Sequence, residues 1–147
     1  MVKLNRITRK KLGELLLEEG IISKEDIDNI LAEQEKSGEM FGEILVRMDF
    51  ATEEDVAMCM VSQFSLPYID VTQYKIDPKL VKMFPIKSML ENIYIPLGEV
   101  GNVITIAISG PVGKKVLKDL ETIAGKDIQI FISTVSKIRE TIEKVFS

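Results

Sequence analysis

The fold is decided by KLGELLLEEGIISKEDIDNILAEQ, residues 11–34, and by its second copy, MFGEILVRMDFATEEDVAMCMVSQ, residues 40–63. A shift of 29 residues superimposes the two copies, so that Leu12 falls on Phe41. In each copy, apolar residues recur at the spacing of one helix face. We therefore predict that each copy forms a helical hairpin and that the two hairpins bury their apolar faces against each other.

Polar residues that can cap a helix mark where the predicted helices begin. Thr8, Ser23 and Thr52 each precede a helical segment, and an acidic residue three positions after Ser23 and Thr52 suggests a capping box. Gly20 stands just past the first helix, where a left-handed backbone is favoured. The four predicted helices cover about residues 9–19, 24–35, 39–48 and 53–63.

The second half of the chain mixes strands with helices. Tyr68 to Val71 alternates like a short strand after Pro67, and Asp77-Pro78 and Pro85 open two short helices. A ββαβα series follows, at residues 93–99, 103–109, 112–124, 127–132 and from Ser133 or Thr134 onward.

These elements predict the fold class and its division. The class is α+β, because the helices come first and the sheet follows. Residues 1–65 form a four-helix subdomain of two repeated hairpins with tandem 24-residue motifs. Residues 66–147 form a small ββαβα subdomain.

The composition argues against several classes of function. Histidine is absent, which removes the usual general base and a common metal ligand. Cys59 is the single cysteine, so a reducing compartment is expected, and its place on an apolar helix face favours a core position. No apolar run approaches the length of a membrane span, about 20 residues. We expect a cytoplasmic protein that is not an enzyme and holds no metal or cofactor.

The net charge of −4 is unevenly distributed. Residues 1–12 carry five positive charges and no acidic residue, so this segment is either solvated surface or a face for an anion such as phosphate. The hairpins do not suit DNA reading, because Glu25 and Glu54 stand at the N-termini of the second helices, where they repel phosphates. We expect no nucleic-acid partner.

One segment is similar to a phosphate loop between a strand and a helix: Gly110-Pro111-Val112-Gly113-Lys114-Lys115. A nucleotide loop requires four residues between its glycines and a Ser or Thr after its Lys. Only two residues intervene here, and Lys115 follows the Lys. A strand-to-helix turn with exposed lysines is therefore the better interpretation.

Gly13 and Gly42 occupy equivalent positions in the two copies, early in a helix, where Gly costs about 1 kcal/mol relative to Ala. Close helix packing and a flat ligand lying on the hairpin both explain a repeated Gly. Gln34 and Gln63 end the two motifs with amides that donate and accept hydrogen bonds. Residue chemistry alone leaves packing and ligand binding open.

The two copies resemble the cyclic di-GMP-binding motifs of the MshEN family, the N-terminal domain of type II secretion and type IV pilus assembly ATPases. The resemblance rests on Lys11-Leu12-Gly13-x-x-Leu16-x-x-x-Gly20 with its continuation, and on the same pattern from Met40; it extends from about Arg9 to Phe146. It implies a regulatory domain for cyclic di-GMP. The ligand-binding residues that it implies are Arg9, Lys11, Leu12, Gly13, Leu16, Gly20, Ile27, Leu31, Gln34, Met40, Phe41, Gly42, Leu45, Val56, Met60 and Gln63.

The same resemblance implies the partners: the ATPase core and the inner-membrane platform of the secretion or pilus machine, without insertion of this chain into the membrane. The alternative is a docking domain that attaches the ATPase to that platform and binds no nucleotide.

The chain departs from the family pattern at five positions, one of which is Phe41 in place of a Leu. Lys11 stands where the family prefers Arg, which stacks better on guanine, although Arg9 offers a second cation nearby. Met40 replaces a basic residue, and Asp49 replaces a Gly. Gly110 precedes Pro111 where the family often has Asp.

Overall fold

The computed structural model describes residues 11–147. Within that range the chain forms eight α-helices, one short 3-10 helix and one three-stranded sheet. The helices are α1 Leu12–Glu18, α2 Lys24–Ser37, α3 Phe41–Arg47, α4 Glu53–Phe64, α5 Pro78–Val81, α6 Ile86–Asn92, α7 Lys114–Ala124 and α8 Val135–Phe146, the 3-10 helix is Val71–Gln73, and the strands are β1 Tyr94–Val100, β2 Val103–Ile108 and β3 Asp127–Ile132. The α+β class and the ββαβα order of the second half are confirmed.

The two hairpins begin their second helices in the same way. At the start of α2 the Ser23 hydroxyl accepts a hydrogen bond from the N–H of Asp26 (3.1 Å), whose carboxylate accepts one from the N–H of Ser23 (2.9 Å). Thr52 and Asp55 form the same reciprocal pair at the start of α4 (3.0 and 2.9 Å). Both predicted capping boxes are therefore present.

The first helix of each hairpin also ends in the same way. Gly20 follows α1 with φ 73°, and Asp49 follows α3 with φ 60°. The next N–H groups, of Ile21 and Phe50, each donate a 3.0 Å hydrogen bond back to a helix carbonyl five residues earlier. This is the pattern of a Schellman motif, and Asp49 adopts it because Asp tolerates a left-handed backbone better than most residues.

The sheet contains one parallel crossover. Its order is β1-β2-β3, with β1 antiparallel to β2 and β2 parallel to β3. α7 connects the parallel pair, and Ile108 lies opposite Ile132 at the last step of the pairing. The residues after β2 therefore lie at the carboxyl edge of the parallel strands, an edge that binds ligands in many α/β sheets.

The structure corrects three predicted helix starts. α3 begins at Phe41 rather than residue 39, because Met40 has an extended backbone (φ −71°, ψ 150°). α1 begins at Leu12 rather than residue 9, because Lys11 has an extended backbone (φ −75°, ψ 154°). The predicted cap, Thr8, lies outside the described residues. α7 begins at Lys114 rather than residue 112, because Gly113 is extended (φ −67°, ψ 156°).

The strand predicted over Tyr68 to Val71 is wrong. Tyr68 makes a single parallel bridge to Ile132. The Asp70 carboxylate then accepts a hydrogen bond from the N–H of Thr72 (3.0 Å) and caps the 3-10 helix. This local side-chain turn replaces the ladder that a longer strand requires.

The helical and mixed regions share one hydrophobic cluster of buried side chains, which includes Cys59 as predicted. Glu53 on α4 also links the regions, because its carboxylate accepts hydrogen bonds from the N–H (2.9 Å) and the hydroxyl (2.7 Å) of Ser136 on α8. The boundary between subdomains at residue 65 stays a prediction.

Candidate functional site

A cleft of about 1060 Å³ lies between the helical hairpins and the carboxyl edge of the sheet. The N-terminal ends of α1 and α3, with parts of α2 and α4, form one wall. Residues 109–114, between β2 and α7, form the other wall with Val135 and Arg139 of α8. The volume lies slightly above the range of small-molecule sites, about 300–1,000 Å³.

Ten of the sixteen site residues predicted from the resemblance line this cleft. They come from both copies of the motif and meet in one place. They are Lys11, Leu12, Gly13, Ile27, Leu31, Gln34, Met40, Phe41, Gly42 and Val56.

Five other residues that were predicted for the site do not line the cleft. Leu16, Leu45 and Met60 are completely buried in the core of the hairpins. Gly20 ends α1 with a left-handed backbone. Gln63 donates a hydrogen bond to the carboxylate of Glu19 (2.9 Å), whereas its equivalent Gln34 lines the cleft and donates to the carbonyl of Glu39 (3.1 Å). The remaining residue, Arg9, lies outside the described residues.

The repeated glycines lie where the two hairpins cross at the cleft. A Cβ on Gly13 would be 3.0 Å from Cζ of Phe41, and a Cβ on Gly42 would be 3.6 Å from Cδ2 of Leu12. Packing against the Phe41 ring therefore favours glycine at position 13, whereas the contact at Gly42 leaves room for a Cβ, and both glycines line the cleft.

The wall opposite the motifs contains residues that the sequence did not single out as a site. Ser109, Gly110 and Gly113 contribute the strand-to-helix loop, and Arg139 contributes a cation from α8. The two glycines of the loop are similar to those of a nucleotide loop. Because only two residues separate them, the sequence pattern did not predict a nucleotide site there. Arg139 had no sequence signal, because it is one charged residue on an amphipathic helix.

Some of the charged side chains that line the cleft form ion pairs, and others do not. Arg47 contacts Glu39 at 2.7 Å, and Arg139 contacts Glu43 at 3.3 Å. The hydrogen bond from Arg47 lowers the pKa of Glu39, and the same bond raises the pKa of Arg47. These two cations are already neutralised by carboxylates.

Two lysines of the cleft are available to an anion. Lys11 on the motif side and Lys114 on the loop side form no ion pair with any residue in the range 11–147. The lining also holds two carboxylates, Glu14 and Glu53, that likewise have no ion pair within that range. The four cations and four carboxylates of the lining balance, so the cleft can attract an anion only locally, beside Lys11 or Lys114.

The described residues hold no cluster of three His, Cys, Asp or Glu side chains that fits a metal ion. The lining of the cleft offers apolar side chains, the Gln34 and Asn92 amides, and two lysines without an ion pair in the range 11–147. In the same range, no helix combines the length and the apolar character needed to cross a membrane.

The model of the MshEN domain matches residues 64–147, which follow the second motif. The type IV pilus assembly ATPase PilB of Myxococcus xanthus is 26% identical over 137 residues, 93% of this chain and 24% of that protein. PilB of Thermus thermophilus is 26% identical over 129 residues, 86% of this chain and 14% of that protein. The chain thus spans about a quarter of the first relative and a smaller part of the second.

Two solved structures have a similar fold. The structure of MshE with cdg superimposes with a TM-score of 0.72 at 25% identity, over 93% of this chain and 99% of that one. The N-terminal domain of XpsE superimposes with a TM-score of 0.71 at 19% identity, over 98% of this chain and 96% of that one.

Proposed function

This chain belongs to the MshEN domain family, as its two motifs predict, and from that membership we propose that it is a regulatory domain that binds cyclic di-GMP for a pilus or secretion ATPase. The structure of the similar MshE with cdg, which we take to be cyclic di-GMP, supports this ligand. The observation that carries the proposal is the cleft, where Lys11 and Gly13 of the first motif lie beside Met40 and Gly42 of the second.

The lining of the cleft suits the parts of a cyclic dinucleotide. Leu31 and Met40 are 47% and 48% exposed there, so a flat base that covers them removes apolar surface from water. The Gln34 amide can meet the polar edge of a guanine. Lys11 and Lys114 match the two negative charges of the phosphodiesters.

Regulation follows from the position of the cleft between two regions of the fold. A ligand there contacts the hairpins on one side and the loop before α7 on the other. The Arg139–Glu43 ion pair joins the same two sides. Binding therefore biases how the two regions are arranged, and through them how an attached ATPase is positioned.

Calorimetric titration of cyclic di-GMP into this 147-residue chain tests the proposal. We expect micromolar or tighter binding. Lys11→Ala, alone or with Arg9→Ala, weakens binding by about tenfold, which corresponds to about 1.4 kcal/mol. Flat heats at high micromolar ligand, together with an unchanged melting temperature, contradict the proposal.

The two equivalent glutamines offer a matched pair for the same titration. Gln34→Ala removes an amide from the cleft, whereas Gln63→Ala removes the equivalent amide of the second motif outside it. We expect weaker binding only for Gln34→Ala. Equal losses in both variants would show that the ligand uses the motif surface rather than this cleft.

Other parts of the proposal concern the wider assembly. We propose that the chain itself is not an enzyme and that ATP hydrolysis lies in the ATPase core. Its place is the cytoplasm, at the inner face of the inner membrane through partners. Neither a cofactor nor a nucleic acid takes part.

A second candidate function is docking on the inner-membrane platform without a nucleotide. It is favoured by Met83, Ile86 and Leu90, which are 63%, 41% and 41% exposed around α6, outside the lining of the cleft. Capture of the cytoplasmic domain of the platform protein in the absence of cyclic di-GMP, lost in Met83→Ser/Leu90→Ser, would support it. No capture by the unaltered chain would count against it.

A further inference from the structure

The N-terminus of α7 opens onto the cleft without a cap. Its first internal hydrogen bond runs from the N–H of Leu117 to the carbonyl of Gly113 (3.1 Å). Gly113 has no side chain to cap the helix, and the N–H groups of Lys114, Lys115 and Val116 have no acceptor among residues 11–147. Three donors at the positive end of the helix therefore have no acceptor within that range, and the first of them belongs to Lys114, which lines the cleft.

The charges of α7 strengthen this feature. Its first turn contains Lys114 and Lys115 and no acidic residue, although negative side chains are the favourable ones at a helix N-terminus. By contrast, α2 and α4 begin with capping boxes and acidic first turns. Lys114 and Lys115 form no ion pair within residues 11–147, so two unpaired cations stand at the positive end of α7.

Ser109 provides an independent indication of a ligand at the same place. It lines the cleft directly after β2 and is 8% exposed. Its hydroxyl has no hydrogen-bond partner in the range 11–147. The side chain is largely buried, but its oxygen is not among the fully buried atoms of the described residues that lack a partner, so it stays accessible and can donate to a group inside the cleft.

No contact with the described residues and no backbone angle explains why the loop has glycine at positions 110 and 113. A Cβ on Gly110 or Gly113 would meet nothing within 4 Å, and neither residue has the left-handed backbone that favours glycine. Packing and conformation therefore do not require glycine at either position. A bare backbone that a ligand approaches closely accounts for both.

We propose that Ser109, Lys114 and the free N–H groups at the start of α7 form the seat of one phosphate group. The loop has only two residues between its glycines, too few to wrap a triphosphate chain, so the seat takes a single phosphate or phosphodiester. A phosphate at a helix N-terminus is bound by aligned N–H groups and the helix dipole. Only the identity of the ligand, a cyclic dinucleotide phosphodiester, rests on the function proposed above.

Gly113→Asp distinguishes a loss of ligand binding from a loss of folding, because this substitution should weaken binding while it stabilises the fold. The extended backbone of Gly113 (φ −67°, ψ 156°) suits a capping Asp. Its carboxylate would occupy the free N–H groups and repel a phosphate. We expect this variant to melt at a higher temperature than the unaltered chain and to bind cyclic di-GMP at least about tenfold more weakly.

Side-chain variants complete the set. Lys114→Ala should weaken cyclic di-GMP binding by about tenfold and Ser109→Ala by a smaller factor. Lys118→Ala is the matched control, because Lys118 is an exposed lysine of α7 that lies beyond its first turn and does not line the cleft. Amide NMR spectra recorded with cyclic di-GMP, and separately with inorganic phosphate, should shift the signals of Lys114 to Val116.

The outcomes separate the seat from the proposed function. If cyclic di-GMP binds and the Gly113→Asp and Lys114→Ala variants stay within about twofold of the unaltered chain, the seat is overturned and the function stands. If cyclic di-GMP does not bind but inorganic phosphate shifts the three amides, in a way that Lys114→Ala abolishes, the seat stands without that ligand. If neither ligand shifts these amides, there is no seat.

Discussion

Phe41 of the second motif packs on Gly13 of the first, with Cζ of the ring 3.0 Å from where a Cβ would stand. The equivalent contact with the roles exchanged joins Leu12 and Gly42, at 3.6 Å. Because Leu12 and Phe41 are equivalent in the repeat, the two hairpins approach each other through the same pair of positions. Each hairpin presents one large apolar residue to the glycine of its partner.

Gly13→Ala should destabilise the fold because of this contact. An added methyl group at 3.0 Å forces the Phe41 ring to move, and overpacking of this kind costs about 1–3 kcal/mol. Urea unfolding followed by circular dichroism measures the loss as a lower midpoint with an unchanged slope.

Gly42→Ala is the matched control. Its Cβ would make an ordinary contact with Leu12, and Ala reduces the freedom of the unfolded chain, so we expect unchanged stability or a gain of up to about 1 kcal/mol. Equal destabilisation by both substitutions would mean that backbone conformation, rather than the Phe41 ring, requires the two glycines.

Local signals in the sequence predicted most of the fold. Ser23 and Thr52 with their acidic partners located the helix starts, because a capping box is formed by residues three positions apart. Gly20 marked the end of the first helix for the same local reason. The strand predicted at Tyr68 failed because the Asp70 side chain competes for the backbone, which alternation of apolar residues does not reveal.

The candidate site was less accessible to sequence reasoning because it is formed by distant segments. The repeat located one wall, including Lys11 and Gln34. It also predicted symmetry, yet Gln63 lies off the cleft and contacts Glu19. The second wall depends on where the β2–α7 loop and Arg139 meet the hairpins, and no spacing along the chain encodes that contact.

Glu53→Ala should weaken the attachment of α8 to α4. The carboxylate accepts two hydrogen bonds from Ser136, and loss of a helix cap costs about 0.5–2 kcal/mol. Glu54→Ala is the control, since it removes a second acid from the same helix turn but no such bond. Thermal unfolding of both variants should give a clearly lower melting temperature for Glu53→Ala; equal values would assign the effect to the dipole of α4.

Cys59 should make the fold less stable at alkaline pH. Burial raises the pKa of its thiol to about 11 from the ordinary value of 9.0. The unfolded chain then ionises at a lower pH than the folded one, so stability that is present below about pH 9 is lost as the pH rises toward 11. Urea midpoints from about pH 7 to about pH 10.5 should fall less in Cys59→Ala; parallel slopes in the two proteins would show that the thiol does not titrate on unfolding.

Asp70 should have the opposite dependence, on the acid side. The hydroxyl of Thr72 donates to its carboxylate at 2.6 Å, and this bond is the largest cause that lowers the pKa of Asp70, ahead of the contact with Lys137 at 3.3 Å. A lowered pKa in the folded state gives stability that is present above the unfolded pKa, about 3.9, and is lost as the pH falls through the folded value. Carboxyl carbon NMR titration should therefore show that the pKa of Asp70 rises more in Thr72→Val than in Lys137→Gln. The reverse order would make the ion pair, rather than the threonine hydroxyl, the dominant partner of this carboxylate.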